Sequence, residues 1–167
     1  MDVAALDAMP KAEFIAAVAP LFEGASHFLD RLAGARPFGG ADEMFRRSRA
    51  IALSMPESEQ IELIDAHPRL GAPPSSVSAM SYGEQGYDRE TTEAIAELAK
   101  LNEQYEAKFG FRFCVFVAGR SRADLVPVLE AALGANRPAE IQRALRDVVL
   151  IAEDRFHKAT PTAGGVA

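Results

Sequence analysis

An all-α, single-domain helical bundle is the fold this chain predicts, on three observations. Apolar residues recur at helical spacing through most of its 167 residues, a length that suits one domain with a real core. Proline, serine and glycine fall between these runs, where helices start and stop. Only Phe111 to Val117 is strand-like in composition, and it has no second strand of comparable strength to pair with.

Pro10 starts the first amphipathic run, with Phe14, Ile15, Val18, Leu21 and Phe22 at helical spacing and Gly24 as its stop. Ser26 is placed as N-cap of a short helix carrying Phe28, Leu29 and Leu32. A break from Gly34 to Gly40 contains Pro37. Ala41 to Met55 reads as the next helix, and Pro56 opens another that presents Ile61, Leu63 and Ile64. Loop chemistry fills the stretch from Pro68 to Met80, with Gly71, Pro73, Pro74 and several serines. The longest helix is expected from about Glu90 to Phe109, with Ile95, Leu98, Leu101 and Tyr105 on one face and Gly110 just past its end. Phe111 to Val117 is then a short extended buried segment. Ser121 caps a helix that Pro127 shortens or kinks, and Pro138 opens a last helix through Ile141, Leu145, Val148, Val149, Ala152 and Phe156. The domain spans residues 1–160, and 161–167 form a frayed tail.

Composition narrows the function. A formal charge of −6 speaks against a nucleic-acid binder, which needs clustered Lys and Arg to neutralise phosphates. An anionic substrate would therefore need a local arginine. No run approaches the roughly 20 apolar residues of a membrane span. One cysteine, Cys114, rules out an internal disulfide and suits a reducing compartment. Three dispersed histidines without C-x-x-C or H-E-x-x-H offer no metal site. The acidic N-terminus, with Asp2 and Asp7, and the Gly-Gly-Val-Ala ending point to the cytoplasm.

His67 is the first candidate for chemistry. Pro68 pushes it out of the α region, so the preceding helix ends at or just before it. At a helix C-terminus the last carbonyls favour the protonated ring, and a nearby carboxylate such as Glu84 would act in the same direction. Such a ring suits proton donation near neutral pH. The other reading is a helix-capping histidine paired with Asp65 or water. Ser81, Glu84 and Gln85 are spaced i, i+3, i+4 and share one face if helical, offering a hydroxyl, a carboxylate and an amide to a substrate rich in N–H and C=O groups. Ser81 with Glu84 is equally a capping box. Arg155, amid Ile151, Ala152 and Phe156, either points inward to an anionic partner or lies on the surface with its stem snorkelling. His27 and His157 have no supporting neighbours in sequence, and Cys114 reads as a buried, inert thiol.

At these residues the chain resembles the 2-oxo-4-hydroxy-4-carboxy-5-ureidoimidazoline (OHCU) decarboxylases of uric acid degradation. The resemblance covers nearly the whole length and rests on H-P-R-L-G at 67–71, S-Y-G-E-Q at 81–85 and L-N-E-Q-Y-E-A-K-F-G-F-R-F at 101–113. Arg112 stands where the family's F-G-F-P-F has a proline. The resemblance implies a cofactor-independent decarboxylation giving (S)-allantoin, in a helical homodimer. It further implies His67 as proton donor, acting with Glu84, and Pro68 shaping the pocket. Ser81, Glu84 and Gln85 would hold the ureido and ring polar groups. Phe113, Cys114, Val115, Phe116 and Val117 would give backbone contacts along one wall, and Arg155 would bind the substrate. Two other classes stay open: a lyase or amidohydrolase acting on a related ureido or hydantoin compound, and a non-catalytic helical interaction module in which these side chains do not converge.

Overall fold

The computed structural model describes residues 1–71 and 92–160, and every regular element among them is helical. The first helix, α1 (Val3–Ala8), begins at Asp2, whose carboxylate accepts from the Ala4 and Ala5 N–H groups. Arg36 secures its far end by donating to the Leu6 and Met9 carbonyls at 3.0 and 2.7 Å while lying over the Phe14 ring. Asp7 in turn accepts from the Phe38 and Gly39 N–H groups, tying the 36–39 loop to the N-terminus.

The run opened by Pro10 is not one helix as far as Gly24. It forms α2 (Lys11–Val18) and then tightens into a 3-10 turn over Ala19–Phe22. Pro20 has no N–H to give and its ring crowds the preceding turn, which ends the α geometry. Glu23 then takes a left-handed φ of 52°, unusual for a residue with a Cβ, ahead of Gly24 at 75°.

Ser26 is not the N-cap expected of it. The cap is Ala25, and Ser26 already belongs to α3 (Ser26–Gly34). Glu62 explains this: its Oε1 accepts both the Ser26 hydroxyl and the His27 N–H at 3.2 Å, so a carboxylate from another helix does the capping. The same Glu62 pairs with the His27 ring at 2.6 Å, so that histidine does have a partner, one the sequence did not reveal.

α4 (Ala41–Ser54) and α5 (Glu57–Asp65) follow, the latter with Pro56 at its N-cap. α6 (Thr92–Phe109) ends at Gly110, whose φ of 80° is the left-handed stop that glycine takes at no steric cost. Its buried face is Ala94, Leu98, Leu101, Asn102, Tyr105 and Phe109; Ile95, expected on that face, is 38% exposed. One residue of offset turns a side chain by 100°, enough to move Ile95 out.

α7 (Arg122–Leu133) opens with a capping box between Ser121 and Asp124, and runs through Pro127 without being cut short. One missing backbone bond is outweighed by burial of Leu125, Leu129 and Ala132. α8 (Arg137–Ala159), capped by Asn136, has 23 residues against 18 in α6 and is the longest described helix. It lies against α4, α5 and the 3-10 turn, while α6 pairs with α7. The core gathers Phe14, Phe22, Phe28, Leu63, Ile64, Tyr105 and Phe113. Each such side chain contributes about 1.5–3 kcal/mol on burial, so packing rather than capping holds the bundle.

Residues 111–117 are non-helical and pair with no strand among the described residues; Phe111, Phe113, Cys114 and Val117 are buried. No described helix is long and apolar enough to cross a membrane. The C-terminal tail lies outside the described residues.

Candidate functional site

α5 stops where Pro68 requires it to stop. Asp65 is its last residue, Ala66 its C-cap, and His67 follows with its N–H donating to the Ile64 carbonyl at 3.1 Å. The imidazole does not face water: His67 is 3% exposed, with Nδ1 3.0 Å from the Leu63 carbonyl. A carbonyl can only accept, so in the neutral ring Nδ1 carries the hydrogen and Nε2 keeps a bare lone pair. Nε2 is buried and has no hydrogen-bond partner among the described residues.

The expected protonated ring is therefore corrected. Burial holds the His67 pKa down at about 4; the Leu63 carbonyl pulls upward, but the Arg155 guanidinium adds to the downward push and Glu23 only partly offsets it. The helix-end carbonyl has the sign expected of it, and desolvation is larger. A linkage follows. The folded pKa lies below the ordinary 6.5, so the unfolded chain binds the extra proton first on acidification. The contribution is complete above pH 6.5 and is lost as pH falls from there towards 4, on the order of 3 kcal/mol. Urea titrations at stepped pH should show that decline in the wild type and a flatter one in His67→Asn.

Arg155 points inward, 2% exposed. Its Nη2 donates to Glu23 Oε1 at 2.8 Å and its Nη1 to the Pro20 carbonyl at 2.8 Å. The left-handed turn at Glu23 thus brings a carboxylate onto a guanidinium 132 positions away. Both charges act on the His67 ring. Glu23 was not singled out from the sequence; a lone acid before a helix-stopping glycine gives no hint of so distant a partner.

The expected wall also has a support that sequence reasoning missed. Arg143 Nη1 donates to the Cys114 carbonyl and to Asp147 Oδ2, both at 3.0 Å, and its other nitrogens grip Glu140. Asp147 Oδ2 accepts the Phe116 N–H at 3.2 Å. Tyr105 donates to Glu140 at 2.8 Å and sets its ring edge against Phe113. Arg120 takes the Phe116 carbonyl at 2.7 Å and the Val117 carbonyl at 3.0 Å. These bonds leave the Phe113 and Val115 backbone groups uncommitted among the described residues. Burial raises the Asp147 carboxyl pKa, with Arg143 opposing. Glu140, Arg143 and Asp147 are spaced i, i+3, i+7 on one face of α8, the one signal that could have grouped them. Tyr105→Phe removes a donor to a buried carboxylate and should lower unfolding free energy by about 1.5–3 kcal/mol, read by urea denaturation.

Of the expected site residues, His67 and Arg155 stand close enough for the guanidinium to act on the ring, Pro68 is half-buried, and the 113–117 segment is held to α8 through Arg143 and Asp147. Arg112, one position before the wall, donates to the Asp65 and His67 carbonyls. Cys114 is buried. Ser81, Glu84 and Gln85 lie outside the described residues. Among those described, no group of three or more His, Cys, Asp or Glu is placed to hold a metal ion.

Comparison with known proteins adds a second line. A family model described as OHCU decarboxylase matches residues 7–157. The chain is 33% identical over 139 residues to the uric acid degradation bifunctional protein PucL of Bacillus subtilis (strain 168), covering 81% of this chain and 28% of that protein. It spans about a third of the length of such bifunctional Bacillus relatives, 28% of one and 32% of another. It is 28% identical over 168 residues to the 2-oxo-4-hydroxy-4-carboxy-5-ureidoimidazoline decarboxylase of Halalkalicoccus jeotgali, covering 99% of this chain and 95% of that one. A crystal structure of an OHCU decarboxylase in the presence of (S)-allantoin superposes with a TM-score of 0.70 at 27% identity, covering 84% of this chain and 94% of the other.

Proposed function

The chain belongs to the OHCU decarboxylase family, and from that premise we propose that it decarboxylates 2-oxo-4-hydroxy-4-carboxy-5-ureidoimidazoline to (S)-allantoin, with residues 1–160 as the catalytic domain. The observation that carries this reading is a buried imidazole, tautomer fixed by Leu63, whose Nε2 lone pair meets no partner among the described residues and on which the Arg155–Glu23 pair acts.

The reaction breaks the bond between C4 and its carboxylate. Its electrons form a C4–C5 double bond as the ring imine nitrogen takes up a proton from water, and CO₂ leaves. The enol so formed must lose the proton on its C4 oxygen and gain one at C5. A neutral His67 can do both in turn: Nε2 accepts the hydroxyl proton and returns it to C5 from one side. His67 is then a base before it is the proton donor, and the single face it serves accounts for a single hand of product. Arg155 opposes the charge of the substrate carboxylate, and the free backbone groups at Phe113 and Val115 meet ureido N–H and C=O groups along the wall. Ser81, Glu84 and Gln85 complete the polar set, and the chemistry calls for no cofactor.

The test uses substrate generated immediately before mixing. Allantoin should form faster than the spontaneous reaction, with one enantiomer accumulating in the polarimeter. Equal rates and racemic product with and without protein would dismiss the activity. The same reading makes the protein a cytoplasmic homodimer, and a monomeric mass in sedimentation equilibrium would refute the dimer.

A further inference from the structure

We propose that Arg112 is a positioning residue for His67, holding the end of α5 at a set spacing from the 113–117 wall; this rests on the decarboxylase reading above. The half-buried side chain crosses from one part of the site to the other. Its backbone N–H donates to Asp65 Oδ1 at 2.9 Å. Its Nη1 donates to the Asp65 carbonyl at 2.9 Å and to the His67 carbonyl at 3.4 Å. Carbonyls at a helix C-terminus have no partner within the helix, and a cation there is of the favourable sign.

The other side of Pro68 is held as well. Asn102 Nδ2 donates to the Leu70 carbonyl at 2.7 Å, and Arg69 pairs with Glu106 at 3.0 Å. The 67–70 segment is thus anchored to α6 beyond the proline and by Arg112 before it. The imidazole keeps its own bond to Leu63, but the peptide that carries it is fixed by Arg112. Because the 113–117 segment begins one residue after Arg112, the same side chain ties the start of that segment to the peptide that carries the ring. A single nitrogen makes both side-chain bonds, so a lysine ammonium can replace it.

The test compares Arg112→Ala, Arg112→Gln and Arg112→Lys in the full chain. In Arg112→Ala, kcat should fall about tenfold to a hundredfold with KM within about twofold, since loss of position costs the transition state and not ground-state binding. Arg112→Lys should return to within about threefold of wild type. The His67 ring C–H resonances, followed by NMR across pH, should titrate closer to the ordinary 6.5 in Arg112→Ala, as water reaches a loosened ring. Arg155 and Glu23, whose charges act on that ring, are unchanged in all three variants. If Arg112→Ala does not fold, Arg112→Gln, with a shorter reach, carries the same expectations. Wild-type kcat and an unmoved titration overturn the proposal. So does a loss borne wholly by KM, which would make Arg112 a substrate contact, or a lysine variant no better than alanine. If the wild type fails to decarboxylate, the proposed reaction falls and the ring titration alone decides the role of Arg112.

Discussion

His67→Asn should lose the acceleration of allantoin formation, about 10²–10⁴-fold in kcat, with helical circular dichroism unchanged. Asparagine fills much of the imidazole's space but cannot take a proton from an enol and return it to carbon. Product should then appear only at the spontaneous rate and without a preferred hand. The wild-type pH profile carries a second expectation. With the resting ring neutral down to about 4, kcat/KM should hold level from neutral pH and fall only as Nε2 becomes occupied by a proton. A limb near 6.5 instead would mean that the ring is not desolvated as described. An asparagine variant with wild-type rate would remove His67 from the chemistry altogether.

Arg155→Met should be the most destabilising change around the site, about 3–5 kcal/mol by urea denaturation. It strips the half-buried Glu23 carboxylate of the guanidinium 2.8 Å away, and leaves the Pro20 carbonyl without that donor. Leaving the carboxylate without its guanidinium adds to the cost of the lost attraction. Adding Glu23→Gln to Arg155→Met should therefore recover a large part of it, and the double-mutant cycle measures how much. A loss below about 1 kcal/mol in the single variant would mean that the pair is solvated and contributes as surface pairs do.

What could be read from residue order follows one division. Where a feature is set by neighbours in the chain, it was legible. Pro68 ends a helix just before His67, Gly110 ends another, and the strand-like run from Phe111 to Val117 stands apart from its helical surroundings. The inward turn of Arg155 was one of two readings its apolar flanks left open, and packing decided between them. Where a feature depends on what packs against it, the sequence was silent. The protonation of His67 is decided by burial, which no local pattern states. Glu23 meets Arg155, and Glu62 caps α3, across long separations that only the fold closes. Pro127 shows the converse: a local breaker that tertiary packing overrules.

A last consequence lies in α8. At a rise of 1.5 Å per residue its 23 residues make a rod about 35 Å long. The side chains bracing the wall and the guanidinium that acts on the imidazole all project from that one rod. Warming cannot spoil one half of the reaction centre and spare the other. Inactivation and the loss of ellipticity should superimpose on the same thermal curve, with no dormant yet folded species between them.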